Sequence, residues 1–181
     1  MILPSHLEEL ARRAHGLDFS ARGSEAIQNY ENAIILRIRA ARLYERTGFL
    51  LETAYSYDRA GKAARYLCRR EAEIRCRLQA YHYFLLVHNH VSGGGKLEEI
   101  SENQNGGEDS LRFLRDAAYA AGITAVALQS AGRYPRFTRH MAEKAYAIFT
   151  HLQETPKIVA LRDILQRHFP KTYDKFIPSH A

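Results

Sequence analysis

Apolar residues recur along this chain at steps of three and four, and no stretch alternates as a half-buried strand would. Ile27, Tyr30, Ile34, Ile38 and Ala41 fall on one face of a helix. Leu50, Thr53, Tyr57, Ala60, Ala64 and Leu67 fall on one face of another, and Met141, Ala145, Ile148 and Leu152 on a third. A helix with one apolar stripe must bury it against another element. With no strand signals, the partners are other helices. The expected fold class is all-α: an irregular helical-hairpin stack, or a bundle, of about seven helices.

Local signals place the helix ends. Ser5 with Glu8 three residues on is a capping box, opening a helix expected to stop at Gly16. Ser24 is expected to cap the next, with Glu25 in its first turn and Gly48 as its stop. A third helix starts near Phe49 and contains Gly61, which weakens it by about 1 kcal/mol relative to alanine unless a neighbour uses the space. A fourth covers roughly 70–90 and is read as either separate from or continuous with the third. The stretch 92–107, SGGGKLEEISENQNGG, is expected to be a flexible acidic loop. Helix resumes near Ser110, punctuated by Gly122 and Gly132. Thr155-Pro156 opens a last helix carrying Ile158, Leu161, Ile164 and Leu165, and Pro170 closes it. The expected organisation is an N-terminal helical unit over 1–91, a Gly-rich loop over 92–108, and a C-terminal helical unit over 109–181 packed on the first. Gly48 and Gly132 each come just before an aromatic residue, Phe49 and Tyr134, an internal similarity at a spacing of about 84 residues.

Charge is unevenly distributed. Residues 1–91 hold 14 Lys/Arg and 10 Asp/Glu, a net of +4; residues 92–110 hold one Lys and five acids, a net of −4; residues 111–181 hold 11 basic and 5 acidic residues, a net of +6. Two basic blocks flanking an acidic connector suit an acidic protein or a nucleic acid as partner. No run of 18 or more apolar residues occurs, so no membrane span is expected. The first fifteen residues carry Glu8, Glu9, Arg12 and Arg13 and lack the apolar core of a signal peptide. Cys68 and Cys76 form neither a CxxC pair nor a disulfide framework. The expected setting is the reducing cytoplasm.

The stretch Ala41 to Ala60 resembles a tetratricopeptide repeat, through Ala41, Tyr44, Gly48, Leu50, Thr53, Tyr57 and Ala60. Small residues at such offsets let two antiparallel helices approach, aromatics fill the groove between them, and glycine turns the chain. Ala26, Tyr30 and Ala33 look like the second helix of such a unit. Ala26 and Thr53 stand 27 residues apart, short of the family's period of about 34. An irregular array, as in the vesicle-fusion attachment proteins, is therefore one expectation. The other is a microtubule-interacting-and-transport domain, whose pattern is echoed by Ala14, Asp18, Gly23 and Glu25 to Ile27. The resemblances cover roughly residues 7–68, and both imply binding of partner peptides or helices without catalysis.

Opposite the third helix's apolar stripe lie Arg59, Lys62, Arg65 and Arg69, with Tyr55 and Tyr66 between them and Asp58 as the chief acid. Such a face can hold an acidic or helical partner, can grip phosphates and stack on bases, or can simply be solvated. His82, His88 and His90 cluster, but no Cys, Asp or Glu stands at ligand spacing, so no metal is expected. Ser92 to Gly95 lacks the Gly-Lys-Ser/Thr of a phosphate loop and follows a helix, so no nucleotide or other cofactor is expected. Arg77 with His82, and Arg162 with His168, resemble the Arg-x(4–6)-His pair of the helical nucleases named for higher eukaryotes and prokaryotes nucleotide binding. That resemblance would imply phosphate held by guanidinium and a proton moved by imidazole. The leading expectation is a non-catalytic adaptor or scaffold using Tyr55, Arg59, Lys62, Arg65, Tyr66 and Arg69. A nucleic-acid binder and a ribonuclease are the alternatives, and self-association stays open.

Overall fold

The computed structural model describes residues 5–93, 106–132, 134–154 and 157, and the described chain is all-helical. Six helices follow one another: α1 (Ser5–Ala26), α2 (Tyr30–Thr47), α3 (Leu50–Tyr66), α4 (Arg70–Ser92), α5 (Gly106–Ser130) and α6 (Pro135–His151). The expected last helix over Ile158 to Leu165, its Thr155-Pro156 start and the middle of the acidic loop lie outside the described residues. No described helix is long and apolar enough to cross a membrane.

Each helix packs on its neighbours in the chain, and no other pair is in substantial contact among the described residues. This is a stack that grows one helix at a time, as in repeat proteins. Alanine dominates the buried positions, so the helices approach closely. Each hairpin's second helix then inserts one aromatic plug: Tyr44, Phe84 or Phe149, none more than 3% exposed. Burying such a ring contributes about 1.5–3 kcal/mol.

The hairpins are built on one template. Ala14, Asp18 and Ala21 of α1 stand forty positions before Ala54, Asp58 and Gly61 of α3. Ala33, Arg37, Ala40 and Tyr44 of α2 stand forty before Glu73, Arg77, Ala80 and Phe84 of α4. The turns match as well. Gln28 (φ 59°) and Cys68 (φ 54°) both take the left-handed conformation, and the next N–H reaches back to Ser24 O (2.8 Å) or Ala64 O (2.9 Å). The third hairpin repeats the pattern with a turn one residue longer: Ala118, Gly122 and Ala125 on α5, then Thr138, Ala142, Ala145 and Phe149 on α6. The second helix of hairpins one and three ends alike. Gly48 (φ 82°) and Gln153 (φ 56°) turn left-handed, and Tyr44 O and Phe149 O each accept the closing N–H at 3.0 Å.

Several expected ends are corrected. α1 runs through Gly16 and Gly23 to Ala26. Both glycines have open space around them, and nothing there forces a break. Ser24 is inside α1, its hydroxyl donating to Ser20 O at 3.1 Å. The cap of α2 is Asn29, whose side chain accepts from Asn32 N–H. Ile27 sits in the turn, 76% exposed, outside the stripe assigned to it. α3 and α4 are separate helices, broken at Cys68, and α5 begins at Gly106, ahead of Ser110. The expected stop at Gly48 and the buried stripe of Thr53, Ala60 and Ala64 are observed.

Candidate functional site

Clefts lie between successive odd-numbered helices, with residues of the intervening even-numbered helix among their linings. Between α3 and α5, over α4, is a cleft of about 740 Å³. It is lined by Tyr55, Asp58, Lys62, Arg65 and Tyr66 of α3, Arg77 and Phe84 of α4, and Asp116, Tyr119 and Ile123 of α5. A smaller cleft of about 380 Å³ lies between α1 and α3, with Arg22, Glu25, Arg37, Arg59, Lys62 and Tyr66 around it. Four of the six residues singled out from the sequence thus meet in one cleft, and Arg59 joins Lys62 and Tyr66 in the next. Arg69 does not belong with them. It caps the turn into α4, pairs with Glu31 of α2, and borders a separate hollow of about 780 Å³ with Arg70, Arg75 and Tyr134.

Tyr55 is less exposed than expected. Its hydroxyl donates to Asp116 at 3.1 Å, and its ring meets Phe84 edge-on. Burial, then the charge of Asp116, pushes the phenol up to about 12. Burial likewise raises the Asp116 carboxyl, against the hydrogen bond from Tyr55 and the charge of Arg112. Tyr66 is 58% exposed and stacks on Tyr30 at 4.8 Å. Lys62 and Arg65 are exposed and make no hydrogen bond or ion pair with any described residue. They are the free cations of the cleft.

Beneath these cations lie two buried ion pairs that the sequence reading missed. In the first hairpin Arg37, 1% exposed, gives Nη1 to Asp18 and holds Glu25 bidentately, Nε to Oε1 and Nη2 to Oε2 at 3.0 Å each. Asp18 also receives Arg22 at 3.2 Å, Arg59 at 3.7 Å and the Ser56 hydroxyl at 3.4 Å. Burial raises the Asp18 carboxyl, but the hydrogen bond and charge of Arg37, helped by Arg59 and Arg22, overcome this and leave it below its ordinary value. In the second hairpin Arg77, 4% exposed, gives Nη1 to Asp58, again across nineteen positions. Its stem lies over Gly61, where an added Cβ would meet Cγ, Cδ and Nε at 3.1 Å. That close approach is what the glycine permits. The legible signal was the Asp-to-Arg spacing of nineteen, repeated forty residues on.

No protein-family model matches the chain, and no curated protein matches it in sequence.

The histidines and cysteines have local roles. His88 Nδ1 lies 2.9 Å from both the carbonyl and the hydroxyl oxygen of Ser110, and the Ser92 hydroxyl is 2.6 Å from that of Ser110. This clasp ties the end of α4 to the start of α5. His82 is exposed while Arg77 is buried in its ion pair, so the two do not converge on one surface; Arg162 and His168 lie outside the described residues. No cluster of three or more His, Cys, Asp or Glu able to hold a metal occurs among the described residues. Cys76 is buried and Cys68 exposed.

Proposed function

We propose that this chain is a non-catalytic, tetratricopeptide-like hairpin adaptor that holds an acidic segment of a partner protein in the cleft between α3 and α5. The observation that carries the reading is the pair of uncompensated cations, Lys62 and Arg65, beside the exposed tyrosines Tyr66 and Tyr119. The stacking of each helix on its chain neighbours supports it, because such stacks expose an extended concave surface. Tyrosine and arginine are the residue types that carry most binding energy at protein interfaces. The nucleic-acid alternative also draws on the cations and tyrosines. Asp58 and Asp116 line the same cleft and repel phosphate and carboxylate alike, so the two readings are separated by experiment.

The test is fluorescence anisotropy with labelled acidic fifteen-residue peptides and labelled single-stranded RNA, at low and moderate salt. Acidic peptides are expected to bind, and Lys62→Glu with Arg65→Glu to abolish binding while circular dichroism stays unchanged. RNA bound in preference, with affinity falling steeply in salt, would reject the adaptor reading; unchanged peptide binding by the variant would reject the site.

A further inference from the structure

The two ion-paired hairpins differ in one respect. Arg37 has its Nε and Nη2 capped by the Glu25 carboxylate. Forty positions on from Glu25 stands Arg65, and Arg22 is matched by Lys62. Arg77 therefore has its aspartate but no counterpart of Glu25, and its buried Nε has no hydrogen-bond partner. The same buried guanidinium has all three nitrogens engaged in one hairpin and an unpartnered Nε in the next, and Arg77 lines the 740 Å³ cleft with Lys62 and Arg65.

We infer that the cleft is a carboxylate site: an aspartate or glutamate side chain of the partner segment binds against Arg77, between Lys62 and Arg65, where the first hairpin uses its own Glu25. The inference rests on the adaptor reading above and adds the subsite and its chemistry. The first hairpin supplies the geometry, a bidentate guanidinium–carboxylate pair, which is among the stronger charge-assisted hydrogen bonds. The difference is one of pairing. Around Arg37, Asp18 takes Nη1 and Glu25 takes Nε and Nη2. Around Arg77, Asp58 is the one acid paired with it among the described residues, and Asp116, which lines the same cleft, receives the Tyr55 hydroxyl. No described acid stands at Arg77 Nε where Glu25 stands at Arg37 Nε. A buried guanidinium with an unmet donor is costly, so the ligand gains from satisfying it as well as from the Coulomb attraction.

The experiment uses the full chain, the variants Arg65→Glu and Arg65→Gln, and two labelled probes, hexaglutamate and hexaglutamine. Arg65→Glu supplies from within the carboxylate that the inference assigns to the partner. It is expected to melt about 3 °C above Arg65→Gln, the shift of a modest single-site gain in a chain of this size, and to bind hexaglutamate at least ten-fold more weakly than the parent chain. Hexaglutamine is expected not to bind. Arg65→Glu melting no higher than Arg65→Gln overturns the equivalence of the two hairpins, whatever the peptide does. Hexaglutamate bound equally by the parent and Arg65→Glu overturns the subsite and leaves the adaptor reading standing. A parent chain that binds no hexaglutamate overturns both.

Discussion

Replacing Arg37 by methionine tests whether the buried pairs are mutually dependent parts of the fold. Arg37 is 1% exposed and its three engaged nitrogens hold Asp18 and Glu25. Breaking a buried pair from one side costs about 3–5 kcal/mol, because the remaining charge stays in the interior. Here the loss belongs at the lower end. Asp18 keeps Arg22, Arg59 and the Ser56 hydroxyl within 3.7 Å, and the Glu25 side chain, 30% exposed, can turn to water. About 3 kcal/mol is a large share of the roughly 5–15 kcal/mol that stabilises a domain. With a urea m-value near 2 kcal/mol/M, it lowers the midpoint by about 1.5 M. Asp18→Leu alone should cost a similar amount, since it leaves Arg37 buried with Glu25 only. The double replacement, Asp18→Leu with Arg37→Met, should return to within about 1 kcal/mol of the parent. The third hairpin is the precedent, for it places Gly122 and Ala142 at these two positions and closes without charge. Urea unfolding followed at 222 nm for the four proteins gives the coupling directly. A single variant losing less than about 1 kcal/mol, or a double variant as unstable as the sum of the singles, would refute the reasoning.

Glycine replacements should split by environment. Gly16→Ala, with nothing within 4 Å of the new methyl, should stabilise by about 0.5–1 kcal/mol, whereas Gly61→Ala should destabilise by about 1 kcal/mol or more, because Arg77 is pinned by Asp58 and cannot yield; thermal melts check both. Burial raises the Glu52 carboxyl, more than its backbone hydrogen bond lowers it, so its ionisation costs stability at neutral pH. Glu52→Gln should therefore raise the urea midpoint at pH 7 and lose that advantage below about pH 4. Asp18, held low, behaves in the opposite sense: its contribution is present above about pH 4 and is lost as the pH falls through its folded value. Cys76, raised to about 11 by burial, should react with Ellman's reagent at pH 8 only on unfolding, and exposed Cys68 at once.

Periodicity made the helices legible, and Gly48 made one turn legible, because both are properties of a few adjacent residues. What stayed hidden was set by contacts across the hairpin. Gly16 looks like a stop, but a helix on a packed stack tolerates exposed glycines whose cost tertiary burial offsets. Gln28 and Cys68 give no sign of a left-handed turn, since neither has glycine's freedom at positive φ; their conformation is imposed by the pairing of the flanking helices. The cleft was partly legible. Lys62, Arg65, Tyr66 and Tyr55 share a helix face, but the groove needs α5, whose Asp116 and Tyr119 arrive from fifty or more residues away. Arg69, on the same face by helical angle, is drawn off by Glu31. Arg77 looked like surface chemistry when read with His82, and only its position over Gly61 shows that it is interior.

The three hairpins taken together separate what closes the fold from what does not. All three share alanine at two positions (Ala14, Ala54 and Ala118; Ala40, Ala80 and Ala145) and a buried aromatic at a third (Tyr44, Phe84 and Phe149), so those positions carry the packing. The Asp–Arg pair is present twice and absent once, and the hairpin without it has Gly122 and Ala142 at the matching positions. Closing a hairpin therefore does not require the pair, in keeping with the small net stability that buried ion pairs give over apolar residues. What the pair does is hold a guanidinium at the floor of a groove. In the first hairpin Glu25 covers it from the same helix that supplies Asp18. In the second, the helix that supplies Asp58 puts Arg65 at that position, adding a cation where a carboxylate would relieve Arg77. The arrangement costs internal stability at one point of the stack, and that point borders the cleft with the free cations. The unmet donor of the middle hairpin thus lies against a surface cleft, and the search for a partner belongs there.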